Sequence, residues 1–328
     1  MVEFNYTDIK EKITTMVSEP TFQYGYVCSP MNYIGGKYKL LSQILPLFPK
    51  KIKTFVDLFC GGCNVGINAQ AQKVVFNDNL SYLIDLYKSF NTLNSSDVLS
   101  HIQSRITQYD LSQTNEKGYK ELRKLYNTER NPLDLFVLVA YSFNHQIRFN
   151  NSHEFNNPFG RERSSFNPRI KKNLVNFLDK LHKRSSEFVC SNFDNFDFSS
   201  YTNEDFIYCD PPYLITTGTY NDGKRGFTGW NNTEETKLLN ILSELNKKNI
   251  RFGLSNVMTH KGKKNELLIE WTNSNNFFVV HLNKSYSNSN YQSKNKDSQG
   301  TDEVLITNYQ PIHKYSLFNN QANEIYRK

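Results

Sequence analysis

TFVDLFCGGCNVGINAQAQKVVFND, residues 54–78, is the stretch of sequence that decides the fold. It begins with a short apolar run that is typical of a buried strand, and a glycine-rich turn follows at once. Residues 65–72 are compatible with a helix, and residues 73–78 form a second apolar strand that ends in an acid. This order predicts a parallel βαβ unit whose glycine loop lies at the edge of the sheet where nucleotides bind.

The rest of the chain divides into a helical part and a further strand-rich part. Residues 80–184 show helical periodicity, with segments at 81–93, 97–111, 118–129 and 132–144. Strand-like runs resume at 187–193, 205–210, 250–256, 277–282 and 303–309, with a helix at 233–246. We predict an α/β fold in which residues 1–84 and 185–328 form a Rossmann-like mixed sheet flanked by helices. Residues 85–184 are predicted to be an inserted, mainly helical domain that carries a hairpin, and the polar residues 284–300 a mobile loop.

The composition excludes several classes of protein. The 328 residues include 39 Lys and Arg against 32 Asp and Glu, a net charge of +7, and 14% are aromatic, which is enough for a real core. No run approaches the ~18 apolar residues of a membrane span, and the first residues have no apolar signal region. Five scattered cysteines fit reduced thiols. These features predict a soluble, cytoplasmic protein that has no contact with a membrane.

Basic residues gather in one part of the insertion and again near residue 261. The sequence leaves two readings open, contact with phosphates or an ordinary solvated helix face. The basic residues are Arg161, Arg163, Arg169, Lys171, Lys172, Lys180, Lys183 and Arg184, with Lys261, Lys263 and Lys264.

Cys60-Gly-Gly-Cys63 matches one half of a metal-binding or redox motif. No second Cys/His pair stands at ligand spacing, and two glycines between the thiols suit a tight turn better. We therefore predict no metal site.

Asp210-Pro211-Pro212-Tyr213 directly follows the apolar strand FIYC and is the most informative motif. Each proline fixes φ and lacks a backbone N–H, so the chain leaves the strand rigidly. A carboxylate and an aromatic ring are thereby held around one small volume. A Pro-Pro turn with an incidental acid is the alternative, and the upstream glycine loop weakens it.

With these motifs in this order, the sequence resembles the DNA adenine methylases (Dam-like family) of the alpha arrangement, in which cofactor motifs precede the target-recognition segment and D-P-P-Y follows it. The resemblance covers about residues 32–309. It implies a Rossmann-like methyltransferase that transfers a methyl group from S-adenosyl-L-methionine to N6 of an adenine flipped out of double-stranded DNA. It also implies a bacterial restriction-modification system or a phage as the setting, with a cognate restriction endonuclease as a partner that the sequence leaves open.

The resemblance implies cofactor contacts residue by residue. Tyr33-Ile-Gly-Gly-Lys37 matches the family's aromatic-x-Gly-Gly-Lys motif, and residues 57–62 match its methionine-binding loop, although Cys63 stands where the family often has a third glycine. Asp78 corresponds to an acid on the donor's ribose. Asp194 corresponds to an acid near the donor's adenine, with Asp197 as the open alternative. The implied cofactor residues are Tyr33, Lys37, Asp57, Phe59, Gly61, Gly62, Asp78, Asp194 and Asp210.

Residues 148–160 are similar to the family's R-x-N…F-N-x-P-x-G hairpin, which implies contact with DNA. Arg148 is expected to read a guanine and Asn150 an adenine edge, while Arg161 and Arg163 suit phosphates. Asn157 completes the predicted DNA-binding residues, and a purely structural role stays the alternative for each of them.

The implied catalytic residues are Asp210, Pro211, Pro212 and Tyr213. The Asp210 carboxylate and the Pro211 carbonyl are expected to accept the two amine hydrogens while Tyr213 stacks on the flipped base. Three other readings stay open. They are methylation of cytosine N4 or of an RNA or protein amide, a non-catalytic DNA-binding module on the same fold, and an NAD-dependent oxidoreductase, in which D-P-P-Y has no role.

Overall fold

The computed structural model describes residues 25–216, 229–282 and 300–311. The predicted mobile loop lies outside the described residues except for Gly300. The helices are α1 Leu41–Ile44, α2 Ser81–Thr92, α3 Ser95–Gln108, α4 Glu116–Glu129, α5 Pro132–Tyr141, α6 Pro168–His182, α7 Asn232–Lys247 and α8 Glu266–Ser274. The strands are β1 Thr54–Asp57, β2 Lys73–Asp78, β3 Ser185–Cys190, β4 Phe206–Cys209, β5 Arg251–His260, β6 Lys263–Lys264, β7 Phe278–Leu282 and β8 Thr301–Thr307. Short 3-10 turns cover Tyr38–Leu40, Leu45–Leu47, Gly66–Asn68, Phe143–His145 and Phe193–Asn195.

One mixed sheet carries the fold, with the order β3-β2-β1-β4-β5-β8-β7 and the short β6 paired to β5. β1 to β5 run parallel, whereas β8 is antiparallel to both β5 and β7. Side chains alternate between two apolar clusters, so that Phe55 packs in the cluster containing α2, α5 and α6, and Val56 in the one containing α7 and α8. The predicted α/β fold, a mixed sheet flanked by helices, is confirmed.

The order of strands reverses at β1, which places a crevice at that point of the sheet. From β1 the sheet extends through β2 to β3 on one side and through β4 to β5 on the other. Ligands of open α/β sheets bind at such a reversal, outside the carboxyl ends of the strands. Asp57 is the last residue of β1 and Asp210 follows the last residue of β4, so two predicted site residues flank the crevice.

The connection from β1 to β2 is not the helix that we predicted for residues 65–72. It contains a single 3-10 turn, and Ala69 leaves that turn in an extended conformation. The Arg184 guanidinium donates to the carbonyl oxygens of Gly66, Ile67 and Ala69 at 2.9, 2.6 and 2.9 Å. In a continuing helix these carbonyls would accept from N–H groups four residues later. Arg184 takes that place, so the prediction of a helix was wrong.

The four predicted helices of the insertion are confirmed, and a fifth helix was missed. α2 to α5 lie within a few residues of their predicted bounds. The missed helix, α6, begins with two standard signals, because Asn167 accepts from the Ile170 N–H and Pro168 takes the first helical position. α5 is the centre of the insertion, with every residue from Leu133 to Tyr141 buried.

The insertion and the sheet share one apolar core. Tyr87 and Phe90 on α2 belong to the same cluster as Phe136 on α5 and Phe188 on β3. The boundary predicted between residues 84 and 85 falls inside α2, whereas the one between residues 184 and 185 coincides with the start of β3. The division into two domains stays a prediction.

Two kinds of feature are absent from the described residues. No helix there combines the length and the apolar character that crossing a membrane requires. No group of three or more His, Cys, Asp or Glu side chains there is placed to hold a metal ion. All five cysteines are free thiols.

Candidate active site

A polar cluster joins two residues of the D-P-P-Y corner, Asp210 and Tyr213, to Lys37 and Glu303. Lys37 precedes the first 3-10 turn, Asp210 and Tyr213 follow β4, and Glu303 lies on β8. β4 and β8 lie on either side of β5 in the order of the sheet. Three separate segments of the chain therefore converge on this cluster.

Charge and hydrogen bonds hold the polar cluster together. Lys37 Nζ lies 2.8 Å from Asp210 Oδ1 and 3.6 Å from Glu303 Oε1. The single hydrogen of Tyr213 Oη is shared between the same Asp210 oxygen at 3.0 Å and Glu303 Oε1 at 3.2 Å. The ammonium also lies 4.9 Å from the centroid of the Tyr213 ring. The side chains of Lys37, Asp210 and Glu303 are only 4%, 18% and 2% exposed, so solvent screens these interactions little.

Burial and neighbouring charges set the protonation of the polar cluster. Burial raises the pKa of Asp210, while the Lys37 ammonium and the Tyr213 hydroxyl oppose that rise. Burial and the two carboxylates raise the pKa of Tyr213 well above its usual value, so its hydroxyl keeps its proton and donates. Lys37 and Tyr213 both bind Oδ1 of Asp210, and within the described residues no hydrogen bond reaches Oδ2. Asp210 can therefore accept from a further donor.

Tyr33 packs directly onto the glycine loop. Gly61 has a φ of +44°, and a Cβ there would lie 2.8 Å from Tyr33 Cδ1. A Cβ at Gly62 would lie 3.1 Å from Tyr33 Cβ. Both the backbone conformation and the ring exclude a side chain at Gly61. Cys63, where the family often has glycine, has a φ of +58°, in the left-handed region that favours glycine. The structure thus brings Tyr33, Gly61 and Gly62 together.

Asp57 and Asp78 hold the two ends of this loop through backbone N–H groups. Asp57 Oδ2 accepts from Gly66 at 2.9 Å, and Asp78 Oδ2 accepts from Gly61 at 3.0 Å. Burial raises the pKa of Asp57 to about 7; the Gly66 N–H opposes the rise, and the charges of Asp210 and Asp78 add to it. A buried carboxylate in this state would be stabilised in its charged form by a cationic group of a ligand.

Three aromatic rings lie beyond the carboxyl ends of the strands. The Phe59 ring centroid is 5.5 Å from that of Phe193 and 5.8 Å from that of Trp230. The Trp230 indole N–H donates to the buried Glu235 at 2.6 Å, which fixes the orientation of the ring. The predicted cofactor residue Phe59 therefore belongs to an aromatic group next to the glycine loop.

Asp194 and Asp197, the two candidates for one predicted role, have different surroundings. Asp194 follows Phe193 of the aromatic group and lies 3.5 Å from Lys237 Nζ. Asp197 accepts from the Ser199 hydroxyl and from the Ser199 N–H, the latter at 2.8 Å, and these bonds within its own turn lower its pKa. The position of Asp194 fits the predicted cofactor contact better, and that contact stays a prediction.

The predicted hairpin is present, with antiparallel bridges Ser142–Phe159 and Phe149–Phe155. Arg148 is exposed on it. Asn150 is largely engaged in the turn, because its Oδ1 accepts from the Glu154 N–H at 2.9 Å and its Nδ2 donates to the Glu154 carboxylate at 2.9 Å. Of these two predicted base-reading residues, Arg148 has the freer side chain.

Asn157 does not fit its predicted contact with DNA. It is only 3% exposed, and its Nδ2 donates to the carbonyl oxygens of Phe143 and Gln146 at 3.0 and 2.9 Å. Its own carbonyl oxygen accepts from the Tyr119 hydroxyl at 2.7 Å. Asn157 closes the base of the hairpin, so its structural alternative is the one that the structure favours.

Four of the eight basic residues named in the insertion have contacts that separate them into two pairs. Arg161 and Arg163 are exposed; Arg161 pairs with Glu116 at 2.6 Å, and the Arg163 guanidinium lies 5.3 Å from the centroid of the Phe143 ring. Lys180 instead donates to Asn68 Oδ1 at 2.8 Å, and Arg184 binds the three carbonyls after the glycine loop. For Lys180 and Arg184 these contacts fit neither of the two interpretations that the sequence left open, phosphate contact or an ordinary solvated helix face.

Sequence reasoning missed Glu303, Trp230 and Arg184. A signal existed for Glu303, since an acid opens the apolar run EVLITNY and such a residue needs a partner when it is buried. Arg184 stood at the end of a basic stretch that resembled a solvated helix face, and nothing local marked its carbonyl partners.

A glycine loop and a D-P-P-Y corner at the switch point of one mixed sheet define the class of Rossmann-like methyltransferases. The chain belongs to the D12 class N6 adenine-specific DNA methyltransferase family, whose model matches residues 33–289.

The relatives of this chain are bacterial methylases. It is 54% identical over 284 residues to the type II methyltransferase M.FokI of Planomicrobium okeanokoites and 55% identical over 285 residues to the modification methylase StsI of Streptococcus sanguinis. Each alignment covers 87% of this chain and 43% of the relative, so the chain spans less than half the length of these two proteins. It is also 25% identical over 285 residues to the DNA adenine methylase of Escherichia coli K12, covering 86% of this chain and 95% of the relative.

Proposed function

We propose that this chain transfers a methyl group from S-adenosyl-L-methionine to N6 of an adenine that is flipped out of double-stranded DNA at a specific sequence. The observation that carries the proposal is the polar cluster, in which Lys37 and Tyr213 hold one oxygen of Asp210 and leave the other oxygen for a donor. The family membership supports adenine as the base.

S-Adenosyl-L-methionine fits the chemistry of the residues around the glycine loop. Its ammonium and sulfonium groups are cationic, and Asp57 is a buried carboxylate whose pKa is raised to about 7. Asp78 accepts the backbone N–H groups of Gly61 and Leu80, which fix its carboxylate at the end of β2, and a carboxylate there suits hydrogen bonds from ribose hydroxyls. Phe59 and Asp194 are proposed to line the adenine, and Tyr33 the methionine part. When bound, this donor supplies an electrophilic methyl group.

The mechanism that we propose relies on positioning of the amine. The exocyclic nitrogen of adenine is a weak nucleophile because its lone pair is delocalised into the ring. The Asp210 carboxylate accepts a hydrogen bond from one N–H of the amine, and the Pro211 carbonyl accepts one from the other N–H. These two bonds favour a pyramidal nitrogen with an available lone pair. Pro212 keeps this corner rigid. The nitrogen loses a proton late, through Asp210 to water, so positioning and electrostatic stabilisation contribute most of the rate.

Tyr213 is proposed to hold the flipped base by stacking. Its hydroxyl is fixed by Asp210 and Glu303, and the Lys37 ammonium lies near its ring, so the side chain has little freedom. A pre-ordered ring loses little entropy when a base stacks on it.

Residues 85–184 are proposed to be the target-recognition domain. Arg148 is exposed on the hairpin, and Arg161 and Arg163 are exposed directly after it, as contact with a polyanion requires. We assign base reading to Arg148, with Asn150 as a secondary contact, and phosphate contact to Arg161 and Arg163.

We also propose a role in restriction-modification, because two relatives are named as a type II methyltransferase and a modification methylase. In that role the chain would protect sites that a cognate restriction endonuclease cleaves. We propose that a chain encoded by a bacterium or a phage acts in this way on DNA in the bacterial cytoplasm.

The experiment that tests this function incubates the chain with methyl-labelled S-adenosyl-L-methionine and mixed duplex DNA, and identifies the modified nucleoside by mass spectrometry. We expect N6-methyladenine, and protection from restriction enzymes at the modified sites. Asp210→Ala should abolish transfer while circular dichroism and thermal melting show an intact fold. Asp302→Asn is the matched control, because it removes a carboxylate from a partly exposed position outside the polar cluster. N4-methylcytosine as the product, or near wild-type turnover in Asp210→Ala, would contradict the proposal.

A further inference from the structure

Glu303 is a buried carboxylate in an apolar part of the sheet. It lies on β8 opposite Val257 of β5 and Leu282 of β7, and it is 2% exposed. Burial of a charged carboxylate costs free energy unless donors and cations compensate it. Tyr213 Oη at 3.2 Å and Lys37 Nζ at 3.6 Å provide that compensation.

Glu303 is not needed to neutralise Lys37. The Lys37–Asp210 pair already balances one positive with one negative charge at 2.8 Å, and Glu303 adds a second negative charge. Both donors lie closer to Asp210 than to Glu303, by 2.8 against 3.6 Å for Lys37 and by 3.0 against 3.2 Å for Tyr213. Glu303 therefore acts as a second acceptor for the Tyr213 hydroxyl and as a second carboxylate beside the Lys37 ammonium.

We propose that Glu303 is a positioning residue for methyl transfer: it holds the Tyr213 hydroxyl and the Lys37 ammonium from the side of β8, so that Asp210 keeps one oxygen for the substrate amine. The inference rests on the proposed function, since it takes Asp210 as the acceptor of the amine hydrogen. Without Glu303, Asp210 would be the one carboxylate of the polar cluster that the Tyr213 hydroxyl and the Lys37 ammonium contact. Both groups would then draw negative charge away from the Asp210 oxygen that accepts a hydrogen bond from the substrate amine.

The charge of Glu303 acts on Asp210 together with five other titratable groups. Lys37 is cationic, Asp57 on β1 is acidic, and Tyr208, Cys209 and Tyr213 are neutral because burial raises the pKa of each. Glu303 adds to the rise in the pKa of Asp210, so removal of its charge lowers that pKa. Transfer requires Asp210 as a carboxylate. The acid limb of the pH dependence of kcat should therefore move to lower pH when Glu303 is neutralised.

The test compares Glu303→Gln and Glu303→Ala with wild type and with Asp302→Asn. Asp302→Asn removes the same charge from the neighbouring residue, whose carboxylate contacts His281. kcat, both KM values and the pH profile are measured. The carboxyl of Asp210 is titrated separately by 13C NMR of aspartate-labelled protein, with its resonance assigned from Asp210→Asn.

We expect Glu303→Ala to lower kcat by roughly 10- to 100-fold, the effect of losing a hydrogen bond to a charged group, with KM values changed less. Glu303→Gln keeps an acceptor for Tyr213, so it should recover part of kcat and shift the acid limb and the Asp210 titration to lower pH. Asp302→Asn should shift neither. Equal kcat loss in both Glu303 variants, with the acid limb and the titration unmoved, would overturn the proposal.

The two proposals fail in distinguishable ways. If wild type transfers no methyl group, the proposed function fails, and the NMR titration still reports whether Glu303 controls Asp210. If wild type is active but both Glu303 variants match it, the role of Glu303 is overturned and the function stands. Thermal melting identifies a variant that is merely unfolded. If Glu303→Ala is unfolded, the test rests on Glu303→Gln, whose side chain is closer in shape to glutamate.

Discussion

Lys37 Nζ and Asp210 Oδ1 lie 2.8 Å apart, although four strands and the whole helical insertion separate the two residues along the chain. The contact joins the segment before β1 to the corner after β4, across the point where the strand order reverses. Two motifs that are separate in the sequence, G-G-K and D-P-P-Y, therefore form one electrostatic unit. Replacement of either residue should therefore change the electrostatic environment of the other.

Lys37→Met tests this unit, because it removes the ammonium and keeps an unbranched side chain. Asp210 then loses the cation that opposes the rise in its pKa, so more of it is protonated near neutral pH. We expect kcat to fall roughly tenfold or more and the acid limb of the pH profile to move to higher pH. Glu303→Gln should move the same limb in the opposite direction. The exposed Lys39→Met is the control, and a pH profile that is unchanged in Lys37→Met would contradict the pairing.

Tyr213 combines two functions that different substitutions separate. Tyr213→Phe keeps the ring but loses the hydrogen bonds to Asp210 and Glu303, so kcat should fall while DNA affinity stays close to that of wild type. Tyr213→Ala also loses the stacking partner, worth ~1–3 kcal/mol, and should weaken binding of the flipped base. Fluorescence of 2-aminopurine at the target position measures flipping directly. Equal flipping in the Phe and Ala variants would show that the ring does not hold the base.

The sequence allowed prediction of those features that depend on local patterns. The strands on either side of Gly61 and Gly62, the acid that ends the second strand, and the D-P-P-Y corner follow from short apolar runs and from residues with restricted backbones. Such features need no knowledge of distant contacts. The φ of +58° at Cys63 was not predicted, because the cysteine suggested a less permissive backbone there than the family's glycine.

Features that depend on long-range partners could not be predicted in this way. Residues 65–72 have helical composition, but Arg184, more than a hundred residues later, binds the carbonyls that a helix would use. Asn157 looks like a polar hairpin residue, yet the base of the hairpin surrounds it. Glu303 acquires its partners only when β8 takes its place beside β5. In each case a tertiary contact overrides the local pattern.

Asp57 should make the stability of the chain depend on pH. Its pKa in the folded chain is about 7, above its ordinary value of 3.8, so the folded state binds the proton more tightly than the unfolded state. This contribution to stability is present at low pH and is lost as the pH rises through about 7. Between about pH 5.5 and about pH 7.5 we expect a loss of about 2 kcal/mol in wild type relative to Asp57→Asn. Denaturant unfolding of both proteins measures the difference, and parallel pH curves would contradict it.

Ligand binding should act on the same carboxylate with the opposite effect. A cationic donor lowers the pKa of Asp57, so binding releases a proton and becomes tighter as the pH rises toward about 7. Calorimetry of donor binding in two buffers of different ionisation enthalpy counts the protons released. Asp57→Asn should abolish that release.

Arg184→Met should destabilise the loop after the glycines. Arg184 donates to three carbonyl oxygens, and its replacement leaves these acceptors without their partner at a cost of ~2–4 kcal/mol. The neighbouring Lys183 is exposed, so Lys183→Met removes the same charge without these bonds and should leave the melting temperature nearly unchanged. Because Gly66 also donates to Asp57, we expect donor affinity to fall together with stability in Arg184→Met. Equal melting temperatures for the two variants would show that the carbonyls find other donors.

The hairpin offers a pair of substitutions with opposite expected effects. Arg148 is exposed, so Arg148→Ala should weaken DNA binding and leave the melting temperature unchanged. Asn157→Ala should lower stability by ~1–3 kcal/mol, because the Phe143 carbonyl loses its side-chain donor and the Gln146 carbonyl keeps only the longer bond from the Ser142 hydroxyl at 3.4 Å. Arg148→Lys keeps the charge but loses the planar fork, so it separates two modes of contact. If Arg148 reads a guanine, Arg148→Lys should relax the sequence preference at one position. If Arg148 contacts a phosphate, Arg148→Lys should bind like wild type, and Arg148→Ala should reduce the slope of log affinity against log salt concentration by about 1. Protection assays on sites altered at single positions, together with binding at several salt concentrations, distinguish these outcomes, and unchanged binding in both variants would exclude Arg148 from the DNA interface.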